Sequence, residues 1–156
     1  MYNKAVLFID DEPDFRDVMT DFLGSLFSRV LSAGNGSEAI RLTDGETFDL
    51  IICDLNMPLM RGDEFLRKLR AKGNLTPVIF LTGNADKDVA VAALRLGAVD
   101  VLDKPITFEA LEAAIGRIFE IQKREQDLTK KESPEEIAQA QKMIGLLRAV
   151  NEKKLR

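Results

Sequence analysis

Five short apolar runs punctuate the first 105 residues, and each gives way to polar or turn-forming residues. The third is the most informative: Leu50-Ile51-Ile52-Cys53 lies between Asp49 and Asp54, and Leu55-Asn56-Met57-Pro58 follows. Four apolar residues without polar alternation are the pattern of a strand buried on both faces. Asn56 and Pro58 then break the chain into a loop. Ala5-Val6-Leu7-Phe8-Ile9 and Pro77-Val78-Ile79-Phe80-Leu81 read the same way, and residues 30–33 and 99–102 make two further short strands.

Between the runs the apolar period becomes helical. Pro13 suits a first helical turn, and Phe15, Val18, Met19, Phe22, Leu23, Leu26 and Phe27 recur at helical spacing up to Arg29. Ser37 with Glu38 opens a second helix. Gly62 precedes a third, bearing Phe65, Leu66 and Leu69. A fourth spans 86–96 and is capped by Gly97. A fifth starts at Thr107 and carries Leu111, Ile115 and Ile118. Strand and helix thus alternate five times with short crossovers, which predicts an α/β fold: a (βα)5, doubly wound, five-stranded parallel sheet with helices on both faces.

Residues 1–121 make one domain in this reading. Residues 122–133 are polar and mixed in charge, and read as the end of the fifth helix plus a linker. Ser133-Pro134-Glu135-Glu136 is a capping-box start with proline at the first helical position. An extra C-terminal amphipathic helix is predicted over 134–156, with Ile137, Ala140, Ile144, Leu147 and Asn151 on one stripe and Met143, Leu146 and Val150 widening it.

Charge and composition narrow the possible chemistry. The net charge is −4, and residues 1–119 carry 19 acidic against 13 basic side chains, so no basic surface points to nucleic acid or a membrane. No apolar run reaches the ~20 residues of a membrane span, and the N-terminus lacks the features of a signal peptide, so a cytoplasmic location is expected. Cys53 is the only cysteine and reads as a buried, inert thiol. The chain has no histidine, which removes a His general base, a His metal ligand and a phosphohistidine.

What the fold brings together lies at the carboxyl ends of the strands, where open α/β sheets place their ligands. The first strand supplies Asp10 and Asp11, the third Asp54, the fourth Thr82 and the fifth Lys104. Asp54 alone is equally well read as a turn starter. The set is harder to explain structurally, because three acids at one edge repel one another. Clustered Asp oxygens without His or Cys suit a hard cation, Mg²⁺ or Mn²⁺. A carboxylate beside such a cation can attack a phosphoryl group and form an acyl phosphate, with Lys104 and Thr82 complementing the charge on the transferring oxygens.

Asp10-Asp11, Asp54-Leu55-Asn56-Met57-Pro58 with Gly62 after it, Thr82 and Lys104-Pro105 together resemble a response-regulator receiver domain of two-component signalling, over residues 4 to about 120. The resemblance implies the flavodoxin-like receiver fold. It implies that Asp54 is the phosphoacceptor, served by a histidine kinase or a phosphotransfer protein. Asp11, Asp54 and the Asn56 backbone carbonyl would ligate the metal, and Asp10 would act through a metal-bound water. Lys104 would contact the phosphoryl oxygens and Thr82 would move to hydrogen-bond them. The Lys104-Pro105 bond is expected to be cis. The chain would be regulatory, catalysing only its own phosphorylation and dephosphorylation.

Two features depart from the family pattern. Val101 stands where receivers often carry a switching aromatic, and the 36 residues after position 120 are too few for a winged-helix or helix-turn-helix output domain. A homodimer is therefore expected as one output, through the face of the fourth helix, fifth strand and fifth helix, with Ile137, Ile144 and Leu147 adding contacts between tails. Two alternatives remain at this point. One is a phosphohydrolase of the haloacid-dehalogenase type, although Asp54-Leu55-Asn56 lacks that class's second acid. The other is a degenerate receiver that acts only as a binding module.

Overall fold

The computed structural model describes residues 1–83, 87–129 and 134–153. Asn84, Asp86 and Ser133, which the sequence reading placed at a strand end, a helix start and a capping box, lie outside the described residues, as do positions 154–156. The elements run β1 Tyr2–Ile9, α1 Pro13–Gly24, β2 Phe27–Ala33, α2 Gly36–Gly45, β3 Leu50–Asp54, α3 Gly62–Ala71, β4 Val78–Thr82, α4 Lys87–Arg95, β5 Asp100–Asp103, α5 Phe108–Thr129 and α6 Pro134–Lys153. The strands form one parallel sheet in the order β2-β1-β3-β4-β5. The predicted α/β architecture and the extra C-terminal helix are both present.

The chain divides into two compact units, Met1–Pro105 and Ile106–Arg156. In the first unit, the unbroken apolar runs became the inner strands. Val6 to Ile9 and all of β3 and β4 are buried, because these strands have neighbours on both sides and helices over their faces. The edge strand β2 leaves Ser28 and Arg29 exposed, which is why its sequence is mixed rather than apolar.

Some boundaries moved for identifiable reasons. The first helix ends at Gly24 rather than near Arg29, and Phe27 opens β2. Leu26 and Phe27 fit the helical period, but β1 claims them. The Tyr2 amide donates to the Leu26 carbonyl at 2.6 Å, and the Tyr2 and Phe27 rings meet at 5.5 Å. The second helix is capped by Asn35, not Ser37: the Asn35 carboxamide oxygen accepts from the Glu38 amide at 2.8 Å, and Glu38 accepts from the Gly34 amide at 2.9 Å. That reciprocal pair satisfies two helix-end donors at once.

In the second unit, α5 is capped by Thr107, whose hydroxyl accepts from the Ala110 amide at 3.1 Å, and it continues unbroken for 22 residues to Thr129. Residues 122–129, read from sequence as helix end and linker, are therefore helical, and the contacts divide the chain at 105/106 rather than at 121. The cause is α6, which packs on the second half of α5 and gives it a buried face. Ile121, Leu128 and Ile144 form a small core, with Ile137, Ala140 and Leu147 packed against it. Glu125 and Arg148 pair across the two helices. This corrects the expectation that Ile137, Ile144 and Leu147 form contacts between tails: those side chains face α5. Met143, Leu146 and Val150 are the apolar residues of α6 left exposed.

One close contact at the end of β3 is a test of the packing. A Cβ on Gly62 would lie 2.7 Å from the Asp54 carbonyl oxygen and 2.8 Å from a Phe80 ring carbon. One of those contacts is backbone and cannot rotate away. Gly62→Ala is expected to cost about 1–3 kcal/mol, the usual scale of overpacking. Gly24→Ala, where a Cβ meets nothing within 4 Å, should be neutral or stabilising by up to ~1 kcal/mol. Denaturant melts of both variants check the contrast.

Candidate functional site

Four of the five predicted site elements converge because parallel strands in register end at one edge. Asp54 pairs across to Leu81, and Thr82 pairs across to Asp103. The Lys104 amide donates to the Thr82 carbonyl at 2.7 Å, which extends that ladder one residue past the strand. The Lys104-Pro105 bond is cis, as expected.

Asp10 and Asp54 are buried, while Asp11 is exposed. The three carboxylates each place one oxygen within 4.8 Å of the others, a spacing that could hold a metal ion. The Lys104 ammonium reaches Asp10 Oδ2 at 3.1 Å and Asp54 Oδ1 at 3.7 Å, so one cation bridges the two buried acids. Thr82 is buried at the end of β4. Asn56 is exposed, and its amide donates to Asp54 Oδ1 at 3.2 Å.

Burial pushes the Asp54 carboxyl above its ordinary range. Lys104 and the Asn56 amide pull it down, and Asp10 and Asp11 push it up further. Burial, with Asp54 and Asp10 nearby, also raises the Cys53 thiol well above its usual range, which keeps it protonated and inert.

Several supporting groups were not singled out from sequence. The Glu12 amide donates to Asp10 Oδ1 at 2.9 Å, and Arg16 Nη1 donates to the Asp10 carbonyl at 2.7 Å. Phe15, read only as an apolar helix residue, lies under the Lys104 ammonium at 4.7 Å from the ring centroid. A cation over an aromatic face is attracted to it, which restrains the flexible lysine. Only the proximity of the folded chain reveals these roles.

The loop after Asp54 is held from both ends. The Gly62 amide donates to the Leu55 carbonyl at 3.0 Å, and Leu55, Met57 and Met60 are buried. Between the two methionines, the Met60 amide donates to the Pro58 carbonyl at 2.8 Å, a two-residue closure centred on Leu59 at φ 70°. That is a γ-turn with positive φ, a rare and strained form. For a side chain with a Cβ it costs on the order of 1–3 kcal/mol. Leu59 itself is fully exposed, at 102%.

With this geometry in place, comparison with known proteins is direct. The family described as "Response regulator receiver domain" matches residues 6–116. The chain is 37% identical over 117 residues to the probable chemotaxis protein CheY of Rhizobium etli, covering 73% of this chain and 91% of that one. It is also 37% identical over 106 residues to the regulator of RpoS of Escherichia coli, covering 68% of this chain but only 32% of that protein, so it spans about a third of that relative's length. Among solved structures, a response regulator receiver domain protein from Clostridium thermocellum is 32% identical, covers 77% of this chain and 97% of its own, and superposes with a TM-score of 0.71. The edge of carboxylates, hydroxyl and ammonium lies within the matched region, and the chain belongs to the response-regulator receiver family of two-component signalling.

Proposed function

We propose that Asp54 accepts a phosphoryl group from the phosphohistidine of a histidine kinase or phosphotransfer protein, in a reaction that needs Mg²⁺ or Mn²⁺. The observation that carries this reading is the buried Asp54 carboxylate with Lys104 at 3.7 Å and two further acids beside it. An Asp54 oxygen attacks phosphorus as the phosphorus–nitrogen bond to the donor's imidazole breaks. The imidazole nitrogen takes the bonding pair, and Asp54 becomes an acyl phosphate. A carboxylate needs no base for this attack.

The donor set fits a hard cation: three carboxylates, no imidazole and no thiolate ligand. Asp11, Asp54 and the Asn56 carbonyl would hold it directly, and Asp10 through a water. The cation would supply positive charge to the equatorial phosphoryl oxygens. Lys104 shifts from its carboxylate partners toward those oxygens, and Phe15 keeps its ammonium at the site. The Thr82 hydroxyl donates to a phosphoryl oxygen and reports the modified state to the rest of the sheet edge.

Without a cation the acids work against folding. Asp54 holds its proton to higher pH in the folded chain than in the unfolded one. The folded state therefore binds more protons as Asp54 titrates, and stability falls as pH rises through that range. The expected results follow that sign. In chelator at neutral pH, Asp11→Asn should melt a few degrees above the unchanged chain, because it removes one repulsive charge. Mg²⁺ at 100 times its dissociation constant should stabilise the unchanged chain by about 2.7 kcal/mol. Calorimetry with and without Mg²⁺ checks both, and a lower melting temperature for Asp11→Asn would make that acid structural.

Acetyl phosphate with Mg²⁺ is expected to add one phosphoryl group, read by intact mass. The label should be lost in Asp54→Ala and in chelator. Lys104→Ala should keep metal-dependent stabilisation yet lose most of the conformational response to beryllofluoride, measured by hydrogen exchange at the strand ends. Label persisting in Asp54→Ala would sink the assignment.

A further inference from the structure

The loop between β3 and α3 sets a strained backbone and an exposed side chain at the same residue. Leu59 has φ 70° at the centre of the Pro58–Met60 closure, and its side chain is 102% exposed. Its neighbours explain how the strain persists but not what it is for. Met57 and Met60 are buried on either side, and a Cβ on Gly36 would overlap the Met60 side chain, so Met60 is seated tightly. Gly62 is pressed against the Asp54 carbonyl and Phe80. The two anchored methionines leave Leu59 to turn outward. Glycine at this position would relieve the backbone, and a polar side chain would suit the solvent. Leucine does neither.

Leu59 lies beside the acceptor. Three peptide links separate it from Gly62, so its Cα is at most about 11 Å from the residue that abuts Asp54. A protein that brings a phosphohistidine to Asp54 must cover the carboxyl-end loops. A standard interface buries about 800 Å² on each partner, a patch of about 16 Å radius, which takes in Leu59. We infer that Leu59 is a docking residue for the phosphohistidine-bearing protein: the strained turn holds an apolar side chain in solvent so that it enters an apolar depression on the donor. This rests on the acceptor reading above. Leu59 touches no reacting atom, so its contribution is to binding the donor rather than to the transfer step. Removing uniform binding raises KM and leaves kcat unchanged.

The test uses the full chain with Leu59→Ala and Leu59→Gly. The first keeps the Cβ strain and removes the apolar contact; the second removes both. Each is profiled against the complete set of purified, radiolabelled histidine kinases and phosphotransfer proteins encoded in the same genome. In parallel, acetyl phosphate labelling reads the acceptor chemistry without a protein surface. The expected result is an increase of about tenfold in KM for the protein donor with both variants, equivalent to about 1.4 kcal/mol, with kcat and acetyl phosphate labelling unchanged. Leu59→Gly should also melt higher than Leu59→Ala. Unchanged KM in both variants would overturn the inference, as would a defect in Leu59→Gly alone, which would assign the effect to the backbone. An equal loss of acetyl phosphate labelling would move Leu59 into the acceptor chemistry and overturn it too. Failure of every phosphohistidine protein to label the unchanged chain would also overturn it, while labelling by acetyl phosphate would leave the acceptor reading standing. Failure of acetyl phosphate itself would instead count against that reading.

Discussion

The Lys104 ammonium sits between Asp10 and Asp54 at the open edge of the sheet, and much of the first unit serves to hold that arrangement. Two carboxylates 4 Å apart repel by on the order of 4 kcal/mol at an effective dielectric of 20, and here both are buried. One lysine offsets part of this only if its stem is aimed correctly. The backbone bond from Lys104 to Thr82, the strand register beneath it and the Phe15 ring under the ammonium provide that aim. The charge imbalance that remains is the chemical opportunity. An edge with surplus acid attracts a cation, and cation and lysine together attract a phosphoryl group.

The loop that follows Asp54 shows the same trade between stability and use. Its ends are pinned by backbone bonds and buried methionines, and the close approach of Gly62 to Asp54 leaves no room for a Cβ. The strain at Leu59 is tolerated because the surroundings over-determine the turn. A loop so constrained keeps the acceptor carboxylate in one place, while its tip presents a side chain to whatever approaches.

The second unit follows ordinary helix-pair physics. Lone helices are marginal in water, and most of their stability comes from burying one face. The second half of α5 has few apolar residues, yet Ile121 and Leu128 are enough once Ile144 of α6 fills the space between them. The same packing removes Ile137, Ile144 and Leu147 from the surface and leaves Met143, Leu146 and Val150 exposed, which relocates any self-association through this helix.

The sequence alone determined the class of the fold and the membership of the site. Unbroken apolar runs can be satisfied only by strands covered on both faces, and their ends bring Asp10, Asp11, Asp54, Thr82 and Lys104 to one edge whatever the details of packing. Local pattern did not determine where α1 stops, how far α5 extends, or which residues support the lysine. Leu26 and Phe27 suit a helix by period and a strand by partner, and Tyr2 settled the matter from across the sheet. Residues 122–129 have a weak apolar period because their partner face lies on another helix. The positive φ of Leu59 carries no signature in the residue type, since leucine rarely adopts it; only the buried methionines on either side force it. These are decisions of contact between segments distant in sequence or of packing around a loop, and tertiary structure alone can make them.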